Sequence, residues 1–251
     1  MSGYGPLPNL RTSTPDEERI HHGLLRYVRE AAASSTPLPG EVELAARLEC
    51  SRQQVRHALA ELDRQGIVRR RQGAATTVDP VGLRMSVRLE EQYEHAELLG
   101  RIGYTSRVEV LESTQEPLDA MVAGLLSSDP GSNSLRIRKR WLADGTPAMV
   151  ADDVIALPDG VQMDAEESIF TAVDKVWGEP IVWEVATPGV ASLNAEMSAL
   201  FDLPVGTAVM TLELIGVGAS GRRLFYSFEH HHPDIVKYSL VRTVRPPWVT
   251  G

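Results

Sequence analysis

Residues 38–78 read LPGEVELAARLECSRQQVRHALAELDRQGIVRRRQGAATTV, and the first domain follows from them. The pattern predicts two short amphipathic helices meeting at a tight turn, followed by a basic hairpin. The second helix begins after Ser51. Ser51 and Gln54 have capping-box spacing, so the Ser hydroxyl and the Gln amide satisfy helix-end N–H groups reciprocally. Val55, Ala58, Leu59 and Leu62 then recur at helical spacing and form one buried face. Arg52, Gln53 and Arg56 fall on other faces. Arg suits bidentate pairing with guanine and Gln with adenine, so these side chains fit base edges in a major groove. Gly66 supplies the positive φ that closes a helix. Ile67–Arg71 and Thr76–Val78 are β-prone runs around Gln72-Gly73-Ala74-Ala75. Three consecutive arginines put charge on both faces of a strand. Alone they would read as a solvated hairpin; beside Arg52 and Arg56 they read as a phosphate contact.

These motifs resemble the winged helix-turn-helix of the GntR family of regulators. The carrying residues are Leu38-Pro39-Gly40-Glu41-Val42-Glu43, Ser51-Arg52-Gln53-Gln54-Val55-Arg56-His57-Ala58-Leu59 and Arg69-Arg70-Arg71-Gln72-Gly73. The resemblance implies double-stranded operator DNA as partner, with Glu41, Ser51, Arg52, Gln53, Gln54, Arg56, Arg70, Arg71, Gln72 and Gly73 as candidate contacts. Three positions depart from the family pattern. Val42 replaces an arginine, Glu49 a turn glycine and Ala75 a second wing glycine. Glu49 bears a cost at positive φ that Gly would not.

The chain has 251 residues, enough for two modest domains. Residues 1–80 hold 11 Lys+Arg and 10 Asp+Glu, and the remainder holds 14 and 24. The net charge of −9 is therefore the sum of +1 over residues 1–80 and −10 over the remainder. Within 50–73 six arginines face only Glu61 and Asp63. Local patches of this kind, rather than total charge, attract phosphate. Cys50 is the sole cysteine, which excludes an intrachain disulfide and suggests apolar packing. No apolar run of ~18 residues predicts a membrane span. The first residues lack the apolar core of a signal peptide, so the expected compartment is the cytoplasm.

The expected domain plan is a flexible tail (1–13), a winged helix-turn-helix (14–78), a linker (79–84) and an α+β effector domain (85–246). Thr14-Pro15-Asp16-Glu17 should start the first helix, with Ile20, Leu24, Tyr27, Val28 and Ala31 inward. In the second domain the pattern predicts a short helix over 89–99 and a strand over 108–111. A hairpin of 135–143 and 148–155 turns at Asp144-Gly145. Ser168 should cap a helix ending at Trp177-Gly178. Further strands are expected over 181–185, 208–217, 223–231 and 236–244, with a helix near 192–201. Consecutive strands with short turns favour an antiparallel sheet.

Arg138–Pro147, Ser168-Ile169-Phe170, Leu203–Gly206 and Tyr226-Ser227 make this domain resemble the UTRA effector domain of the HutC-like GntR subfamily. The resemblance implies a chorismate-lyase-like fold, a small-molecule pocket and a homodimer. It also implies Arg138, Arg140, Ser168, Phe225 and His231 as candidate effector contacts. Arg138 and Arg140 share a strand face and offer forked donors to an anion. Aligned positions Glu94, Ala96, Phe225 and His231 change the phosphate and sugar-hydroxyl seats of phosphosugar sensors. The expected effector is accordingly an anion with an apolar body. His230-His231-His232 invites a metal, but no converging ligand set accompanies it, so no metal and no cofactor are expected. The reading is a repressor released from its operator by a small molecule, not an enzyme. The alternative is a metabolite-binding or lyase-like enzyme built on the second domain.

Overall fold

The computed structural model describes residues 15–71, 73–84, 87–166 and 168–240. Thr14, Gln72 and the expected strand residues 241–244 lie outside that set. The chain divides into two compact units, 1–86 with 101–103, and 87–100 with 104–251.

In the first unit, α1 (Pro15–Ser34), α2 (Glu41–Arg47) and α3 (Arg52–Arg64) enclose one core. Ile20, Leu24 and Val28 of α1 meet Leu44 of α2 and Val55, Leu59 and Leu62 of α3. Each such side chain withdrawn from water contributes roughly 1.5–3 kcal/mol. The cap is as expected: Ser51 Oγ accepts from Gln54 N at 3.2 Å, and Ser51 N donates to Gln54 Oε1 at 2.9 Å. Glu49 takes the glycine-like turn with φ of 51°. Cys50 packs partly buried against the core, where burial pushes its thiol up. The hairpin pairs β1 (Val68–Arg69) with β2 (Thr77–Val78). Within the expected linker lies a short helix, α4 (Pro80–Arg84), started by Asp79, whose Oδ1 accepts from the N–H groups of Val81 and Gly82.

The second unit is built on a six-stranded antiparallel sheet in the order β3-β4-β5-β8-β7-β6. The strands are β3 (Ser106–Pro117), β4 (Asn133–Ala143), β5 (Thr146–Ala156), β6 (Ile181–Ser192), β7 (Ala208–Gly218) and β8 (Arg223–His231). Asp144 and Gly145, both at positive φ, turn β4 into β5. One sheet face carries α6 (Ala120–Leu126) over Val154 and Tyr226, and α8 (Ala195–Phe201) over Val150 and Val209. The other face carries α7 (Ile169–Trp177) over Leu135, Ile137, Ile155, Leu214 and Phe225.

Some expected boundaries shift. The helix placed over 89–99 is α5 (His95–Arg101), beginning six residues later. Residues 236–240 are not a strand, although Ser239 bridges to Arg88.

Candidate functional site

The first candidate surface is the front of α3. Arg52 and Arg56 are more than half exposed, and Gln53 is exposed. Both guanidiniums converge on Glu41 at the start of α2: Arg52 Nε and Arg56 Nη2 each lie 3.1 Å from Glu41 Oε2. Arg70, at the base of the wing, reaches Glu41 Oε1 at 2.8 Å. The hydrogen bond from Arg56 is the largest influence holding the Glu41 carboxyl below its ordinary value. One carboxylate thus aligns three cations from α3 and the wing, and the cluster retains net positive charge.

The expected DNA-facing residues therefore divide by task. Arg52, Gln53 and Arg56 present open side chains. Glu41 aligns them. Ser51 and Gln54 are engaged in the cap, and Arg70 is a partly buried tether. Arg71 is exposed, and Gly73 shapes the wing tip with φ of 77°. Gln72 is outside the described residues.

The second candidate is a small cleft on the α7 face of the sheet. Glu94, His95, Lys139, Trp141, Asp153, Ile169, Glu184, Leu214, Phe225 and Glu229 line it. Strand alternation brings them together: Lys139 and Trp141 of β4, Asp153 of β5, and Phe225 and Glu229 of β8 share one face. Two ion pairs organise its floor. Lys139 Nζ lies 2.7 Å from Asp153 Oδ2, with both side chains buried. His95 Nε2 lies 3.0 Å from Glu229 Oε1. The His95 ring stacks on Trp141 with centroids 4.5 Å apart.

Burial alone would raise the Glu229 carboxyl, but His95 above all, with His231, outweighs it and holds Glu229 well below the carboxylate range. Burial opposes the charge on His95, and Glu229 more than restores it, leaving the imidazole above its ordinary value. Burial pulls His231 down despite Glu229, so it is the neutral partner, donating through Nε2 to Glu229 Oε2 at 3.0 Å. Glu184 is different. Its Oε1 is buried and has no hydrogen-bond partner among the described residues. Burial, then Glu229, pushes its carboxyl up to about 7.

Three of the expected effector residues, Phe225, Ser168 and His231, gather at or against the cleft, and two, Arg138 and Arg140, do not. Phe225 lines the cleft, 1% exposed, with its ring against Gly216. Ser168 caps α7, accepting from Thr171 N, and donates to Glu94 of the cleft. His231 adjoins Glu229 on the same sheet face. Arg138 and Arg140 lie on the opposite face, and the pocket expectation is corrected for both. Alternation along β4 turns them toward α8 and β3. There Arg138 pairs with Asp152 at 2.7 Å and with Glu196, and Arg140 pairs with Glu109 at 2.6 Å. They fasten the neighbouring elements to the sheet. Lys139 was the missed signal, a lysine at an apolar-face position between Ile137 and Trp141.

A capped, arginine-bearing helix with a basic wing, followed by a domain with a polar cleft, defines the class of ligand-responsive DNA-binding regulators. Residues 101–237 match the UTRA domain, and residues 18–78 match the gntR family of bacterial regulatory proteins. The chain belongs to the UTRA-domain regulators of the GntR family. It is 28% identical over 204 residues to the uncharacterized HTH-type transcriptional regulator RB1450 of Rhizobium meliloti (strain 1021), covering 80% of this chain and 83% of that one. It is 26% identical over 241 residues to the HTH-type transcriptional regulator Rv0792c of Mycobacterium tuberculosis, covering 92% and 87%. Among solved structures, its fold is similar to that of PhnF from Mycobacterium smegmatis, with TM-score 0.57 and 22% identity over 87% of this chain and 100% of that one. It is also similar to YydK from Bacillus subtilis, with TM-score 0.55 and 15% identity over 92% and 100%. The chain is thus a DNA-binding transcriptional regulator with a small-molecule effector domain. Among the described residues, no helix is long and apolar enough to cross a membrane.

Proposed function

We propose that this regulator is a cytoplasmic, homodimeric repressor that leaves its operator when the cleft is filled, and that it performs no catalysis. Residues 14–78 bind DNA, and residues 85–246 bind the effector and hold the dimer. The observation that carries the reading is the exposed Arg52-Gln53-Arg56 front of a Ser51-capped helix, aligned with the wing through Glu41. Arg52, Gln53 and Arg56 read base edges, while Arg71 and the Gly73 turn meet the backbone. In a two-fold dimer, two such helices enter successive major grooves of a pseudo-palindromic site. The effector acts by binding the released arrangement more tightly than the DNA-bound one.

Selection of DNA from a random-sequence pool with the full-length protein tests this. The expected product is a two-fold symmetric site with half-sites about one helical turn apart. Enrichment of asymmetric single sites, with a monomer in sedimentation, contradicts the dimeric reading.

A further inference from the structure

We propose that the cleft takes an organic cation, a ligand whose protonated amine or amidine nitrogen is seated on Glu184 and Glu94. The inference rests on the reading of the cleft as the effector site and specifies the ligand's charge. The cleft brings together the carboxylates of Glu94, Asp153, Glu184 and Glu229 and the cations of Lys139 and His95. Asp153 and Glu229 each have a cation within ion-pair range, Lys139 at 2.7 Å and His95 at 3.0 Å. Glu94 and Glu184 have no ion-pair partner among the described residues. Ser168 gives Glu94 a neutral hydroxyl donor. Glu184 has a buried oxygen with no hydrogen-bond partner among the described residues, and Glu229, with Asp153 and Glu94, disfavours its charge against the opposing pull of His95.

A buried carboxylate without a partner is costly, and a ligand that supplies an N–H donor and a positive charge removes that cost. Binding energy is thereby gained from groups that destabilise the empty protein. An anion meets the reverse situation. It must displace Asp153 from Lys139 and enter a field set by the other carboxylates. Arg138 and Arg140, the guanidiniums that the sequence offered to an anion, are on the other face and paired. The Trp141 and Phe225 rings supply apolar wall beside the carboxylates.

Calorimetry on the full-length protein with benzamidine and benzoate, matched in ring and opposite in charge, tests the proposal; 1,4-diaminobutane extends the cation series. A cation of the series should bind at millimolar concentration or below. Glu184→Gln, which keeps the shape and deletes the charge, should weaken it about tenfold or more. Glu196→Gln, on the opposite face, should leave it unchanged. Benzoate binding weakened by Lys139→Met combined with Asp153→Leu, with folding intact, would keep the cleft as the effector site and overturn the cation. Cation binding untouched by both Glu184→Gln and Glu94→Gln would overturn the cation seat and the cleft together. No binding by any cation of the series also overturns the proposal.

Discussion

Replacing Glu184 by Gln should stabilise the empty protein, and only above mildly acidic pH. Glu184 stands half-buried on β6, and burial with Glu229 beside it pushes its carboxyl from an ordinary 4.5 up to about 7. The unfolded chain releases this proton near the ordinary value, whereas the folded chain retains it up to about 7. Across that interval the folded state holds more protons, so stability falls as pH rises and levels off above the folded value. Below the ordinary value both states are protonated and the penalty vanishes. The full shift corresponds to about 3 kcal/mol, and residual solvent contact brings the expected loss to about 1–3 kcal/mol. Glu184→Gln carries no such penalty. It should exceed wild type by that amount at about pH 8 and match it within about 0.5 kcal/mol near pH 4. Trp141, Trp177 and Trp183, the tryptophans among the described residues, belong to the second unit, so their fluorescence in urea follows that unit. Parallel stability profiles for the two proteins, or a Gln variant weaker at high pH, would refute the reasoning.

Two further outcomes follow from the same unit. Lys139→Met leaves Asp153 charged and buried and should cost about 3–5 kcal/mol, while adding Asp153→Leu should recover most of it, as read by urea unfolding of both variants. Gly216→Ala would place a Cβ 1.9 Å from Phe225 Cε1, so overpacking should cost about 1–3 kcal/mol, visible as a lowered unfolding midpoint.

The local signals in the sequence were read well where a few adjacent residues settle the structure. The Ser51–Gln54 box, the Asp144-Gly145 turn and the Ser168 to Gly178 helix each depend on short-range geometry. α6 was missed because Ala120–Leu126 is a continuous apolar run with Gly124 inside and shows no polar face. The cleft was largely illegible. Glu94, Asp153, Glu184 and Glu229 come from distant segments that meet only through the sheet order. Alternation along β4 is legible in the sequence, but which of its two faces bears the cleft is not. Part-buried, paired arginines and a buried lysine look alike until the helices covering each face are known. Glu41 was placed at the DNA surface without its role of aligning Arg52, Arg56 and Arg70.

The central claim is that α3 reads DNA. Fluorescence anisotropy of the full-length protein on its selected site, with wild type, Arg52→Ala and Arg56→Ala compared at one salt concentration, tests it most directly. Each substitution that removes a bidentate base contact should cost about 1–3 kcal/mol in specific binding, with much less effect on random DNA. Wild-type affinity and preference in both variants, with folding intact, would contradict the account.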